Sequence, residues 1–249
     1  NYTGGRGVGF LAPITHFIST IWASDFNNDI RNANHNFIRE FYGTMPGTFY
    51  GQKISTINPP AGAVGINGPI VANRPDRAFY PYQSKATQVY EPPASLVSGD
   101  AGVPANVRNI DSIRRNYLTA GAGGTYIDQY MFRLAETYLL RAEAYVGLTN
   151  TTLAANDINA VRRRSGAADV LPANVNIDYI LDERLREFGV EEKRMLTLMR
   201  MGKWVDRVRT LNPFYGTQMQ DHFNLWPIPA DEIERNKDAV LQQNPGYPL

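Results

Sequence analysis

The sequence predicts a mostly helical chain in which a long, loop-rich segment precedes a run of packed helices. Three observations carry that prediction. From Tyr126 onward, apolar residues recur at spacings of three and four, which marks helices with one buried face. Before about Thr125, stretches such as "INPPAGAVGINGP" and "YEPPASLVSGDAGVP" are rich in Gly, Pro and Asn, the chemistry of turns. Small residues then mark a helical hairpin, with Ala135, Ala142 and Ala144 on one helix facing Ala154 and Ala155 on the next.

Taken in order, the loop-rich region spans 1–125 and opens with two short predicted helices, one around "THFISTIWASDF" and one around "NANHNFIREFY". So long an irregular stretch is unusual unless the loops carry function. In the helical region, 126–249, the first helix places Ile127, Tyr130, Met131, Leu134, Tyr138, Leu139, Ala142 and Tyr145 on one face. "GLTNTT" interrupts it. A second helix follows through Leu153, Ala154, Ile158 and Val161, with Gly166 at the position after its C-cap. A third runs from about Ile177 to Met201, with Ile180, Leu181, Leu185, Phe188 and Leu196 inward and Gly189 marking a break. The tail reads as an extended segment, a short helix capped near Asp231, and a Pro/Gly-rich end. Ala154 to Ile158 echoes the spacing of a tetratricopeptide helix, and a single such pair needs neighbouring repeats to cover its faces.

Composition excludes several classes. With 25 basic and 24 acidic residues in 249, the net charge is +1, which gives no field to draw nucleic acid or an anionic membrane surface. The absence of cysteine removes disulfides, zinc–thiolate centres and cysteine nucleophiles. No apolar run reaches the ~18 residues a membrane span needs. The opening "NYTGGRGVGF" has no Met, signal peptide or lipidation cysteine, so the sequence is expected to be the interior of a longer protein or a trimmed product.

Catalytic chemistry is weakly supported. Glu136 and Glu143 lie seven residues apart on one helix face, ~10.5 Å along the axis. Retaining glycosidases need carboxyl groups ~5–5.5 Å apart and inverting ones ~6.5–9.5 Å. With Arg133 and Arg141 nearby in sequence, these glutamates read as ion-paired scaffold. Glu183 and Glu187, four residues apart, are the better catalytic pair. Arg184, Arg186, Lys193 and Arg194 surround them, and a guanidinium neighbour lowers a carboxyl pKa, the opposite of what a general acid requires. A glycoside hydrolase using Glu183 and Glu187 stays the alternative reading, alongside a purely structural repeat protein that docks a partner.

His16, His35 and His222 have no metal-ligand spacing. "GGRGVGF" and "MGKW" fail as dinucleotide and phosphate loops. "DFNND" alternates oxygen donors like a calcium loop, but Ile30 and Asn36 stand where the Gly and Glu belong, so a capping role is the better reading. No cofactor and no metal site is predicted. The remaining signal is aromatic: Trp22, Phe49, Tyr50, Tyr80, Tyr82 and Tyr90 fall in or beside the loops. Such rings offer flat apolar faces to the C–H faces of sugars, with nearby Asn, Gln, Arg and Asp for hydroxyl groups. These six are the candidate ligand-binding residues.

Five ordered motifs together resemble the SusD/RagB family. "GVGFLAPITHFISTIWASDFNNDIRNANHNFIREFY" carries its early region through Asp29, Ile30, Arg31, Asn32, Asn36, Arg39 and Tyr42. "YMFRLAETYLLRAEAYVGLTN", "ANDINAVRRRSG", "ILDERLREFGVEEKRMLTLMRMGKW" and "LWPIPADEIERNKDAVLQQNPGY" match the four that follow. Glu192 replaces the family's usual Gly, and Thr197 stands where Asp is common. The resemblance implies a SusD-like fold with degenerate tetratricopeptide repeats, of which this chain is the C-terminal half. It also implies non-catalytic binding of oligosaccharide or polysaccharide at the bacterial cell surface. The implied setting is an outer-membrane lipoprotein, held by a lipid anchor outside this chain and partnered with a SusC-like TonB-dependent transporter.

Overall fold

The computed structural model describes residues 13–42, 48–49, 52–55, 61–62, 64–65, 68–69, 80–83, 97–98, 117–118 and 130–248. The chain forms two compact units, Asn1–Glu192 and Lys193–Leu249. The predicted boundary near 125 falls outside the described residues.

In the first unit, α1 (Thr15–Ile18) runs into 3₁₀ turns at Thr20–Asp25, kinked at Ala23, where φ is 31°. The single helix expected here is thus two short pieces. No side chain caps α1, and the β-branched Thr15, Ile18, Thr20 and Ile21 are weak helix formers. What holds the pieces is packing: Phe17, Ile18, Ile21, Trp22 and Phe37 form one buried cluster. Phe17 and Phe37 stack with centroids 5.1 Å apart.

The second predicted helix is absent. Phe37–Ile38 (β1) and Glu40–Tyr42 (β2) are strands, β2 pairing antiparallel with β3 (Lys53–Ser55). Two shorter antiparallel pairs join β4 (Val64–Gly65) to β5 (Gly68–Pro69), and β7 (Val97–Ser98) to β8 (Tyr117–Leu118). β1 pairs with β6 (Tyr82–Gln83). The spacing of Phe37, Ile38, Phe41 and Tyr42 suits a helix as well as a strand, and tertiary contacts decide between them. Arg39 is central: its guanidinium lies 4.1 Å from the Phe37 ring centroid. It donates to Ile18 O, Asn32 O and Asn32 Oδ1 at 2.6, 3.2 and 2.5 Å. Burial lowers the Arg39 pKa to about 10.

Three helices follow: α2 (Leu134–Gly147), α3 (Thr151–Arg164) and α4 (Ile177–Phe188). The α2–α3 turn is tight because Thr149 takes φ 59°, letting Asn150 N donate to Tyr145 O. Asn150 then caps α3 by accepting from Leu153 N, and Asn176 caps α4 by accepting from Tyr179 N. After α3, Gly166 at φ 75° closes a Schellman turn: Ala167 N donates to Arg162 O and Gly166 N to Arg163 O. Leu139 and Ala142 of α2, Ala154, Ala155, Ile158 and Val161 of α3, and Ile180 and Phe188 of α4 make the core.

The predicted first helix begins at Leu134, and residues 130–133 before it are not helical. Tyr130, Met131 and Leu134 are exposed rather than inward, as is Ala144 on the predicted hairpin contact. Ile127 lies outside the described residues. The break at Gly189 is present, with φ 52°.

In the second unit, α5 (Arg194–Arg200) and α6 (Trp204–Leu211) are joined at Gly202, φ 64°, by a second Schellman turn. Leu196 is exposed and Leu198 is buried, so the inward face of α5 differs from the one expected. A short helix, α7 (Ala230–Arg235), carries Asp231 in its first turn without a side-chain cap. The chain end is strapped to "LWPIP". Gln243 exchanges two hydrogen bonds with the Ile228 backbone, both 2.8 Å. Asn244 Nδ2 donates to Trp226 O, and the Tyr247 hydroxyl to Leu225 O. Among the described residues, no helix is long and apolar enough to cross a membrane.

Candidate functional site

The paired glutamates of α4 sit in a buried ion network. Asp29 caps the turn Ile30–Asn32 by accepting from Arg31 N, and it also grips the Arg31 guanidinium at 2.6 Å. That orients Arg31 Nη1 to lie 2.9 Å from both Glu183 Oε1 and Glu187 Oε2. The two glutamates are one helical turn apart, so a single guanidinium reaches both. Arg162, in the last turn of α3, joins Glu183 Oε2 at 2.8 Å to Asp25 Oδ2 at 2.6 Å. Arg186 Nε donates to Glu183 Oε2 at 2.8 Å. On the Glu187 side, Arg164 donates to Oε1 at 2.6 Å. Arg133 clasps the Glu187 carboxylate and donates to Glu191 Oε2 at 2.9 Å and Glu187 O at 2.7 Å.

The electrostatics follow from that geometry. Glu183 is 0% exposed. Burial alone pushes its carboxyl up, but the guanidiniums of Arg186, Arg31 and Arg162 outweigh it and hold the pKa down to about 2. Burial also pushes Glu187 up, and the hydrogen bond from Arg133 with the charges of Arg31, Arg133 and Arg164 brings it below the usual carboxylate range. Both groups are ionised at neutral pH and shielded from solvent. Neither can donate a proton to a leaving group, which removes the observation that supported a hydrolase using Glu183 and Glu187.

Glu136 and Glu143 are also structural, but with a different partner from the one expected. Arg184 of α4 lies 3.0 Å from Glu136 Oε1 and 3.9 Å from Glu143 Oε1. Arg133 serves Glu187, while Arg141 donates to Asp157 at 2.7 and 2.6 Å. Glu192, which departs from the family pattern, accepts from Arg184 Nε at 2.6 Å.

The carboxylates of "DFNND" are likewise engaged: Asp25 Oδ1 accepts from Ala168 N at 3.0 Å, and Asp29 holds Arg31. Among the described residues, no group of three or more His, Asp or Glu is placed to hold a metal. His16 Nε2 lies 2.9 Å from Asp182 Oδ1, and His222 packs edge-on against Phe223 and Tyr247.

The six aromatic candidates separate. Trp22 is 1% exposed, with its Nε1–H donated to Phe17 O at 2.9 Å. Its expected place in a ligand site is corrected: the ring belongs to the Phe17–Phe37 cluster, because the short helix turns it inward. Phe49, 7% exposed, is buried too and offers no open face. Tyr80 is half-buried, and Tyr82 lies in β6 beside it, directly before the buried Gln83. Tyr50 and Tyr90 lie outside the described residues. Sequence reasoning missed Arg162 as the link between Glu183 and Asp25. The run "VRRRSG" shows three basic residues, but only the Schellman turn at Gly166 reveals which of them faces inward.

A model of the SusD family matches residues 23–247. The chain is 34% identical over 145 residues to the starch-binding protein SusD of Bacteroides thetaiotaomicron, an alignment covering 53% of this chain and 25% of that protein. Among solved structures, a SusD superfamily protein from Bacteroides vulgatus is 18% identical with a TM-score of 0.43, covering 99% of this chain and 55% of that one. A laminarin-binding SusD-like protein is 20% identical with a TM-score of 0.35, covering 98% and 56%. The chain thus spans about a quarter of the curated relative it matches.

Proposed function

Since the chain belongs to the SusD family, we propose that it is part of a non-catalytic binder of oligosaccharide at the bacterial cell surface. In this reading the helices of the first unit are a rigid frame, degenerate tetratricopeptide repeats in character, and the loop-rich segment presents Tyr80 and Tyr82, with Tyr50 and Tyr90, to the sugar. The bound glycan passes to a SusC-like TonB-dependent transporter in the outer membrane, where a lipid anchor outside this chain holds the protein.

The observation that supports the reading best is the state of Glu183 and Glu187. The acidic pair most suited to glycosidic cleavage is buried, ionised and matched to arginines, which supports binding over turnover by that pair. The starch-binding relative points to the same class of ligand. Calorimetric titration of the full-length protein with maltoheptaose, laminarin and xylan tests it. Saturable binding to at least one of them without release of reducing sugar is expected. No binding to any, or reducing-sugar release that disappears in Glu183→Gln, overturns it.

A further inference from the structure

Resting on that saccharide-binding reading, we infer that Gln83 is a positioning residue, whose side-chain amide locks the Tyr80–Gln83 segment onto the turn that ends α4. Gln83 is 4% exposed, and β6, which carries it, pairs with β1 through Phe37↔Gln83 and Ile38↔Tyr82. Its Oε1 accepts the Val190 N–H at 3.1 Å across 107 residues of sequence. The amide packs closely against Gly189. A Cβ there would come within 1.9 Å of Oε1, 2.5 Å of Cδ and 2.6 Å of Nε2. Gly189 also has φ 52° and ψ −112°, a conformation open to glycine and closed to residues with a side chain. Glycine is therefore required twice at this one position, once for the backbone and once for the amide.

The ground under the amide is firm. Arg133 spans the turn, holding Glu187 two residues before Gly189 and Glu191 two residues after it. The strand above is not firm by itself. A two-residue antiparallel pair is too short to fix its own register, and a slip by one residue would turn every side chain of the strand to the opposite face. Neither Pro81 nor Tyr82 carries an amide that could replace Gln83 on the turn. The side chain of Gln83 thus sets the register, and the neighbouring ring-bearing positions take theirs from it. Saccharide affinity then depends on Gln83 and Gly189 although neither touches the sugar.

The test compares full-length wild type with Q83A, G189A and the double variant. Calorimetry reads affinity for maltoheptaose and laminarin, and amide hydrogen exchange reads Val190 and residues 80–83. Each single substitution should weaken saccharide binding by about tenfold. The double variant should bind no more weakly than the worse single, because the added Cβ meets no amide once Gln83 is gone. A general loss of stability would lower the melting temperature of each variant without that non-additivity in affinity. In Q83A the Val190 N–H should exchange more than tenfold faster. Unchanged exchange at Val190 and 80–83 in Q83A overturns the anchor, as does wild-type affinity in a variant whose exchange has risen. If neither sugar binds the wild type, the binding reading fails and the exchange result alone still decides the anchor.

Discussion

Replacing Glu183 with Gln removes one negative charge from the point where Arg31, Arg162 and Arg186 converge, all within 2.9 Å of its oxygens. The cost can be reached by two routes. Removing one partner of a buried ion pair typically costs ~3–5 kcal/mol, because the other charge stays buried without compensation. Independently, the Glu183 carboxyl is held at about 2 against an ordinary 4.5, and at ~1.4 kcal/mol per decade of acid constant that gap is worth about 3 kcal/mol. The routes agree, and for a chain of this size they translate to a melting temperature about 10 °C lower. The pH dependence has a definite sign. A carboxyl with a depressed folded-state pKa contributes fully above its unfolded value and loses that contribution as acid protonates it. The gap between wild type and E183Q should therefore be full at neutral pH and close as pH falls from 4.5 towards 2. Thermal melts followed by far-ultraviolet circular dichroism at stepped pH measure it. A neutral-pH melting temperature within about 2 °C of wild type, or a gap unchanged in acid, would refute the reasoning.

Trp22→Ala should destabilise the first unit by ~3–5 kcal/mol, as expected for an aromatic ring removed from a packed core, while saccharide affinity per folded molecule stays at the wild-type value; paired urea titration and calorimetry check this. Gln243→Ala should destabilise the second unit by ~1–2 kcal/mol through the loss of both bonds to Ile228, seen as faster amide exchange at Ile228 N.

The helical half was legible because its signals are local. Gly166 and Gly189, read from the sequence as the end of one helix and a break in another, each sit where the backbone takes positive φ. The structural role of Glu136, Glu143, Glu183 and Glu187 was legible too, from the density of arginine around them. Their partners were not, since Arg184 pairs with residues up to 48 positions away and Arg31 with one 156 away. The strand at Phe37–Ile38 was hidden for a related reason. Its apolar spacing fits a helix, and only its partner Tyr82–Gln83 and the buried Arg39 make extended backbone the better choice. Trp22 misled because a ring flanked by loop sequence resembles a ligand platform until its neighbours are known. Membership of the family was readable from the motifs, and the matched span of 23–247 accords with it.

The arginine–glutamate network has a kinetic consequence. Its longest pairs close over 137, 152 and 156 residues, so they form only after the helices and the early segment have found one another. Contacts of that span should form after the folding transition state, so that they slow unfolding without hastening folding. Weakening Arg31 or Arg162 should then shorten the lifetime of the native state, read as faster unfolding in denaturant jumps, while leaving the refolding rate almost untouched.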